Sequence, residues 1–368
     1  MTSHSHNATP IWAWAAPASA SLLLGLKFFG IVPSNAAVVL ILAGLLLCGA
    51  VFAAVHHAEV LAMRVGEPFG SILLAIAVTV IEVALIVSIM LSGSAGSDAV
   101  ARDTVFSAVM IVLNGVIGLA LVLGAQRHHE QSFQLHGASA ALAVLGTLAM
   151  FALVLPNYTI TTLGPHYSPV QLLFVGAVSL ALYCIFIFVQ TIRHRDYFVD
   201  SVDDEIASDD APHDTPSNKI TIISTVLLMV SLAAVVLLAK VLSDPLARAV
   251  AAASLPQSFV GVVIAAIVLL PEGLASVKAA VLNRLQISMN LALGSAMASI
   301  ALTIPTVAVV SLLLEQRLVL GLTPASTVLL VLTLFISTLT LGTGRTTVLQ
   351  GAVHLVIFAV FILLAAVP

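Results

Sequence analysis

Apolar residues follow one another in eleven runs separated by short polar breaks, at approximately 11–31, 36–55, 69–92, 104–125, 137–156, 169–191, 220–242, 256–279, 290–314, 322–341 and 347–367. Each holds about 20 residues, enough for a helix to cross roughly 30 Å of hydrocarbon. None carries the period-two alternation of a barrel strand, and backbone groups inside lipid must be satisfied within the segment, so the pattern predicts helices. No basic residue precedes the first run, so it lacks the charged head of a cleavable signal peptide and is read as a retained helix. The expectation is an all-α polytopic membrane protein of eleven transmembrane helices with lipid as its surroundings.

Composition sharpens this reading. Of 368 residues, 60% are hydrophobic and 8% charged, with a mean hydropathy of +1.16; a soluble domain would be about 25% charged. With a net charge of −4 and no basic cluster to neutralise phosphates, nucleic acid is excluded as a partner. The two cysteines, Cys48 and Cys184, lie inside apolar runs, which excludes a disulfide framework.

The placement of the 17 acids is more informative than their number. Eight of them (Asp196, Asp200, Asp203, Asp204, Glu205, Asp209, Asp210 and Asp214) crowd into 196–214, a stretch without Lys or Arg that reads as a solvated linker. Seven more (Glu59, Glu67, Asp98, Asp103, Glu130, Asp244 and Glu315) fall in polar joints or at run ends. Glu82 and Glu272 remain, deep in apolar runs.

These two glutamates disclose a repeat. A shift of 190 residues lays Phe69 on Phe259, Ala75 on Ala265, Val78 on Val268 and Glu82 on Glu272. Glu82 is in the third run and Glu272 in the eighth, five crossings later, so the second unit enters the membrane with opposite polarity. The prediction is an inverted-topology pair of five-helix repeats, 36–192 and 220–368, joined by the acidic linker 193–219 and preceded by an extra N-terminal helix within 1–35; such repeats occur in secondary transporters. Arg64, Arg127, Arg193, Arg195, Lys219, Lys278, Arg284 and Arg345 fall on one side, against Lys27, Arg102, Lys240, Arg248 and Arg317 on the other. That excess places the N-terminus and the linker in the cytoplasm.

Each glutamate sits about 20 Å along its helix, near the bilayer centre, where an ionisable group costs at least about 2.5 kcal/mol and reads as functional. Oxygen-bearing neighbours suit a hard cation: Thr79 before Glu82, Asn114 in the next helix, and Asn290, Ser295 and Ser299 after Glu272. Asn114 reads equally as a ligand or as a bond between helices, and the Gly294-Ser295 pair also reads as close packing. Pro271 lacks a backbone donor and frees a carbonyl one turn earlier. No Cys/His constellation lies near either glutamate, which argues for Ca2+, Na+ or protons over zinc or copper. Two ionised glutamates with Ca2+, or two protonated ones without it, are both neutral, so the pair suits exchange of a cation against protons. His56 and His57 beside Glu59, and His128 and His129 beside Glu130, are candidate pH-sensing or cation-recruiting groups, with interfacial polar residues as the plain alternative.

The segments Val55-His56-His57-Ala58-Glu59-Val60, Gly66-Glu67-Pro68-Phe69-Gly70, Ala77-Val78-Thr79-Val80-Ile81-Glu82 and Gly124-Ala125-Gln126-Arg127-His128-His129-Glu130-Gln131 resemble the bacterial ChaA-type ionic transporters. So do Val268-Leu269-Leu270-Pro271-Glu272-Gly273-Leu274, Asn283-Arg284-Leu285-Gln286 and the run from Asn290 to Ser295. The likeness covers about 50–365 and implies the cation/Ca2+ exchanger superfamily, with two inverted repeats, a glutamate in each, and antiport of Ca2+, Na+ or sometimes K+ for protons. Typical calcium/proton exchangers carry a Gly-Asn-Ala stretch before each glutamate, whereas here the glutamates follow Val-Ile and Leu-Pro, which leaves room for Na+.

The expected function is therefore a proton-coupled antiporter of a bacterial inner membrane, exporting Ca2+ or Na+ by alternating access without a cofactor. A cation channel lined by the same residues is the rival. An enzyme is not expected, because no H-E-x-x-H helix or G-x-S-x-G elbow is present.

Overall fold

The computed structural model describes residues 10–32, 37–66, 69–93, 96–198 and 216–368. Among them, eleven helices are long and apolar enough to cross a membrane. They are α1 (Ile11–Phe28), α2 (Ala37–Val65), α3 (Phe69–Ser92), α4 (Val100–His128), α5 (Leu135–Tyr158), α6 (Pro169–Arg193), α7 (Asn218–Ala252), α8 (Phe259–Val281), α9 (Leu285–Leu313), α10 (Pro324–Leu341) and α11 (Val348–Ala366). The chain is an integral membrane protein of the all-α class. Of the acidic linker, Asp196 is described; Asp200 to Asp214, like Glu67, lie outside the described residues.

Helix ends differ from the hydropathy reading in one consequential place. The second apolar run stops at 55, yet α2 continues to Val65, so His56 and His57 lie inside a helix and not at a joint. The reason is local: the following Ala58, Leu61, Ala62 and Met63 are good helix formers, and His57 is buried with partners for both ring nitrogens.

The described residues form two compact units, one within 1–94 and 211–249, the other within 95–210 and 250–368. Each therefore draws helices from both halves of the sequence. In the first unit α2 packs against α1 and α3. His57 Nε2–H donates to the Ala13 carbonyl at 3.0 Å, and Nδ1 is 3.3 Å from the Ser224 hydroxyl, which pins α2 to α1 and α7. A carbonyl only accepts, so the neutral ring carries its proton on Nε2 and accepts at Nδ1. Arg64 donates to the Pro216 carbonyl at 3.2 Å and to Asn218 Oδ1 at 2.6 Å, holding the start of α7.

In the second unit α4 is the most enclosed helix, packed on α8 and α11, while α9 packs on α5, α6 and α8. The α4–α8 approach is close enough that a Cβ on Gly261 would fall 2.6 Å from the backbone carbon of Asp103. Glycine is needed there. α4 is not uniform: Ile111–Val116 is a π-helical turn, a single widened turn of the kind that re-aims side chains.

The loops of this unit gather at two ends. At one end β1 (Gln131–Ser132) pairs antiparallel with β2 (Arg345–Thr346), Gln131 opposite Thr346, and Gln131 Nε2 donates to the Ala280 carbonyl at 2.8 Å. At the other, Val319 N–H donates to the Asp98 carbonyl at 3.0 Å and His166 Nδ1–H to the Leu318 carbonyl at 3.1 Å. Loops after α4, α8 and α10 thus share one end, and those after α3, α5 and α9 the other, as helices crossing in alternation require.

Candidate functional site

Glu272 lies near the middle of α8, in the second unit. The Ser295 hydroxyl of α9 donates to its carboxylate, and one turn along α8 the Ser276 hydroxyl donates to the Ser288 carbonyl at 2.9 Å. These two bonds fix α8 against α9 on either side of a turn. Pro271 stands inside the helix and supplies no N–H, so the Ile267 carbonyl loses its helical donor and remains an oxygen for a cation. On the other flank, a Cβ on Gly273 would lie 3.1 Å from Val116 Cγ2, so the π-turn of α4 abuts α8 at the residue after the glutamate. A Cβ on Gly294 would meet nothing within 4 Å, so the α9 backbone beside Ser295 borders open space. Ser299, buried, is one turn further along α9, and Tyr183 of α6 is within electrostatic reach of Glu272.

Glu82 lies at the corresponding depth of α3 in the first unit and is 4% exposed. A carboxylate so placed needs a counter-charge or a proton. Thr79, also buried, donates its hydroxyl to the Ala75 carbonyl at 2.8 Å. Its proton is thereby used, while the oxygen lone pairs are still open to a cation.

Asn114 takes the second of its two readings, a bond between helices, and Asn290 is held by partners away from Glu272. Asn114 is fully buried in the π-turn, where Nδ2 donates to Thr333 Oγ1 at 2.9 Å and Oδ1 accepts from His354 Nδ1–H at 3.0 Å. His354 Nε2 sits 3.2 Å from the Thr340 hydroxyl, and the Thr333 hydroxyl is directed to Met110 Sδ at 3.4 Å. The directions are consistent around the cluster, because an amide oxygen only accepts: His354 carries its proton on Nδ1 and accepts at Nε2. The amide therefore fastens α4 to α10 and α11. Asn290 accepts from Gln286 Nε2 at 3.0 Å and donates to the Phe198 carbonyl at 2.6 Å; Gln286 Oε1 in turn accepts from Gln134 N–H at 2.7 Å. That row of amides lies at the β1–β2 end and anchors the segment leaving α6.

The histidine pairs are also engaged. The His56 ring lies tilted against Trp12, centroids 5.3 Å apart, and edge-on to His57 at 5.4 Å. His128 Nε2–H donates to the Val281 carbonyl at 2.9 Å, and His129 adopts φ 64° to turn the chain into β1. Glu130 faces Arg345 at 3.6 Å across the strand pair, an exposed contact of little energetic weight. Among the described residues no three His, Cys, Asp or Glu side chains come together to hold a metal ion.

Tyr183 and the Ser276–Ser288 bond escape a search for chemistry by spacing from the glutamates. Tyr183 has a signal in retrospect: it is one of only four tyrosines in the chain and sits in an apolar run.

Comparison with known proteins gives the family. The one described as sodium/calcium exchanger protein matches residues 35–192 and 223–367, blocks that between them span α2 to α11. The chain belongs to the sodium/calcium exchanger family. Among relatives of this exchanger, the y4hA protein of Sinorhizobium fredii (strain NBRC 101917 / NGR234) is 58% identical over 359 residues, covering 98% of this chain and 97% of that one. The sodium-potassium/proton antiporter ChaA of Escherichia coli (strain K12) is 35% identical over 312 residues, covering 85% and 84%. The ChaA-type resemblance carried by the sequence motifs is thus borne out. The exchanger's fold is similar to that of native YfkE, with a TM-score of 0.74 at 17% identity over 97% of this chain and 100% of that one. It is also similar to that of the H+/Ca2+ exchanger CAX, with a TM-score of 0.68 at 16% identity over 95% and 88%.

Proposed function

We propose that the protein is a proton-coupled cation antiporter that exports Ca2+ or Na+, with K+ as an alternative cargo, in exchange for H+. The observation that carries the reading is an ionisable carboxyl near the middle of the apolar helix α8, hydrogen-bonded by Ser295, in a chain of an exchanger family. The names of its relatives agree in class: a sodium-potassium/proton antiporter and an H+/Ca2+ exchanger. In this reading Glu82 and Glu272 hold the cation when ionised and protons when neutral, so cation and proton compete for the same oxygens. With Ca2+ as the cargo, neither state leaves uncompensated charge in hydrocarbon; with a single Na+ or K+ neutrality needs one of the two glutamates to keep its proton. Ser295, the Ile267 carbonyl freed by Pro271, Thr79 and Ser299 supply further oxygens. The site works in a bacterial inner membrane, with the N-terminus and the acidic linker in the cytoplasm.

The test uses everted membrane vesicles energised to hold a proton gradient. Addition of Ca2+, Na+ or K+ between about pH 7 and 9, a range in which free carboxyls are ionised, should collapse the gradient in vesicles carrying the wild type. It should fail to do so with Glu82→Gln or Glu272→Gln. Full activity in either variant overturns the assignment. Electrical currents far above carrier turnover, with no opposing proton movement, would favour the channel instead.

A further inference from the structure

At the end of the second unit opposite the strand pair, α4, α8, α10 and α11 enclose a cavity of about 160 Å3, room for several waters at roughly 30 Å3 each. Part of its lining is apolar: Phe106 and Phe361 meet edge-on with ring centres 5.6 Å apart, beside Leu329 and Leu364. The rest is charged or hydroxylic. Arg102 and Asp103, consecutive in the first turn of α4, line the cavity with side chains 15% and 12% exposed. Neither Glu82 nor Glu272 borders it.

The ion pair leaves bonding capacity of both signs unspent. Arg102 Nε and Nη2 both donate to Asp103 Oδ1 at 2.7 Å, and Nη1 donates to the Gly321 carbonyl at 3.4 Å. A guanidinium has five N–H groups, so two remain, and all the bonding falls on one carboxylate oxygen, which leaves Oδ2 open. Asp98 adds a second negative charge within electrostatic reach of Asp103. The Ser326 hydroxyl accepts from Thr323 at 3.0 Å and keeps its own proton to give. A simple anion here would face the Asp103 carboxylate, and a simple cation would face the guanidinium. A molecule carrying both charges a few atoms apart answers both. The depth is also informative: Arg102 and Asp103 are in the first turn of α4, Thr323 and Ser326 begin α10, and Leu364 is in the last turn of α11. Helix ends of a membrane span lie where lipid headgroups meet acyl chains.

We propose that this cavity binds one phospholipid whose headgroup carries a phosphate and a primary ammonium, as in phosphatidylethanolamine. The phosphate takes the spare N–H groups of Arg102 and the Ser326 hydroxyl, charge-assisted bonds of the stronger kind. The ammonium donates to Asp103 Oδ2. An acyl chain lies against Phe361 and Leu364, so that the lipid ties the start of α4 to the start of α10 and the end of α11. Selectivity follows from the same chemistry. A choline headgroup has a cation without N–H donors, and a glycerol headgroup has no cation, so each leaves the open carboxylate oxygen unmet. The site is independent of the transported ion and does not rest on the exchange reading.

The test is native mass spectrometry of the full chain, delipidated in detergent and titrated with phosphatidylethanolamine, phosphatidylcholine or phosphatidylglycerol of the same acyl chains. The wild type should retain one phosphatidylethanolamine at about tenfold lower concentration than either of the others, the equivalent of one charged hydrogen bond. The double variant Arg102→Gln/Asp103→Asn, which leaves no orphaned charge, should bind all three lipids alike. Ser326→Ala removes one donor to the phosphate without touching the ion pair, and should weaken phosphatidylethanolamine in a chain whose thermal midpoint without lipid is that of the wild type. Equal retention of the three lipids by the wild type overturns the proposal, because the contact is then ordinary annular lipid. Unchanged selectivity in the double variant overturns it too. So does displacement of the lipid by an equal concentration of glycerophosphoethanolamine, which has no acyl chains and would make the ligand a soluble zwitterion.

Discussion

The most direct probe of the α8–α9 half-site is Ser295→Ala. The Ser295 hydroxyl donates to the Glu272 carboxylate, and hydrogen bonds to charged groups contribute about 1.5–3 kcal/mol. Loss of that donor, and of a ligand oxygen, should weaken cation binding by a factor of about 10 to 100. The replacement introduces no clash, because alanine is smaller and the neighbouring Gly294 borders open space. The effect should therefore appear in the apparent KM for the cation, with the maximal rate nearly kept, since Glu272 itself is intact. The assay is gradient dissipation in everted vesicles over a series of cation concentrations. An unaltered KM in Ser295→Ala would refute the view that Ser295 acts through Glu272.

Two further expectations follow from the geometry. Asn114→Leu removes the acceptor of His354 Nδ1–H and the donor to Thr333. Each orphaned partner costs about 1–3 kcal/mol, so the thermal midpoint in detergent should fall, and Asn114→Asp should fall less because it keeps the acceptor. Tyr167 donates its phenol to the Phe151 carbonyl at 2.6 Å, and burial pushes its pKa up to about 12 from 10.0. The folded state thus holds that proton more tightly than the unfolded chain. Its stabilisation is complete below pH 10 and lost as pH rises toward about 12. Phenolate absorbance should show this tyrosine titrating late, and Tyr167→Phe should flatten that part of the stability profile.

The path from sequence to structure was uneven for identifiable reasons. Eleven spans were legible because hydrocarbon accepts only segments that satisfy their own backbone, and that demand is written in hydropathy. Glu82 and Glu272 were legible for the same cause: an acid in such a segment is expensive enough to stand out. Helix ends were less so, as the histidines of α2 show, because helix propensity carries a helix past the end of its apolar run.

What the sequence by itself determined, then, is the number of crossings, the membrane class, the family motifs and the two deep carboxyls. Only the tertiary structure decided where the other polar side chains spend their hydrogen bonds. Asn114 and Asn290 have the right chemistry and spacing for ligands, yet one fastens α4 to α10 and α11, and the other holds the segment after α6. Tyr183 of α6 and Glu272 of α8 are distant in sequence and come within electrostatic reach of each other only in the fold. The physical reason is that lipid is as apolar as a helix interface. Hydropathy therefore marks which residues enter the membrane without marking which face meets a neighbour, and that choice is made by side-chain packing between helices.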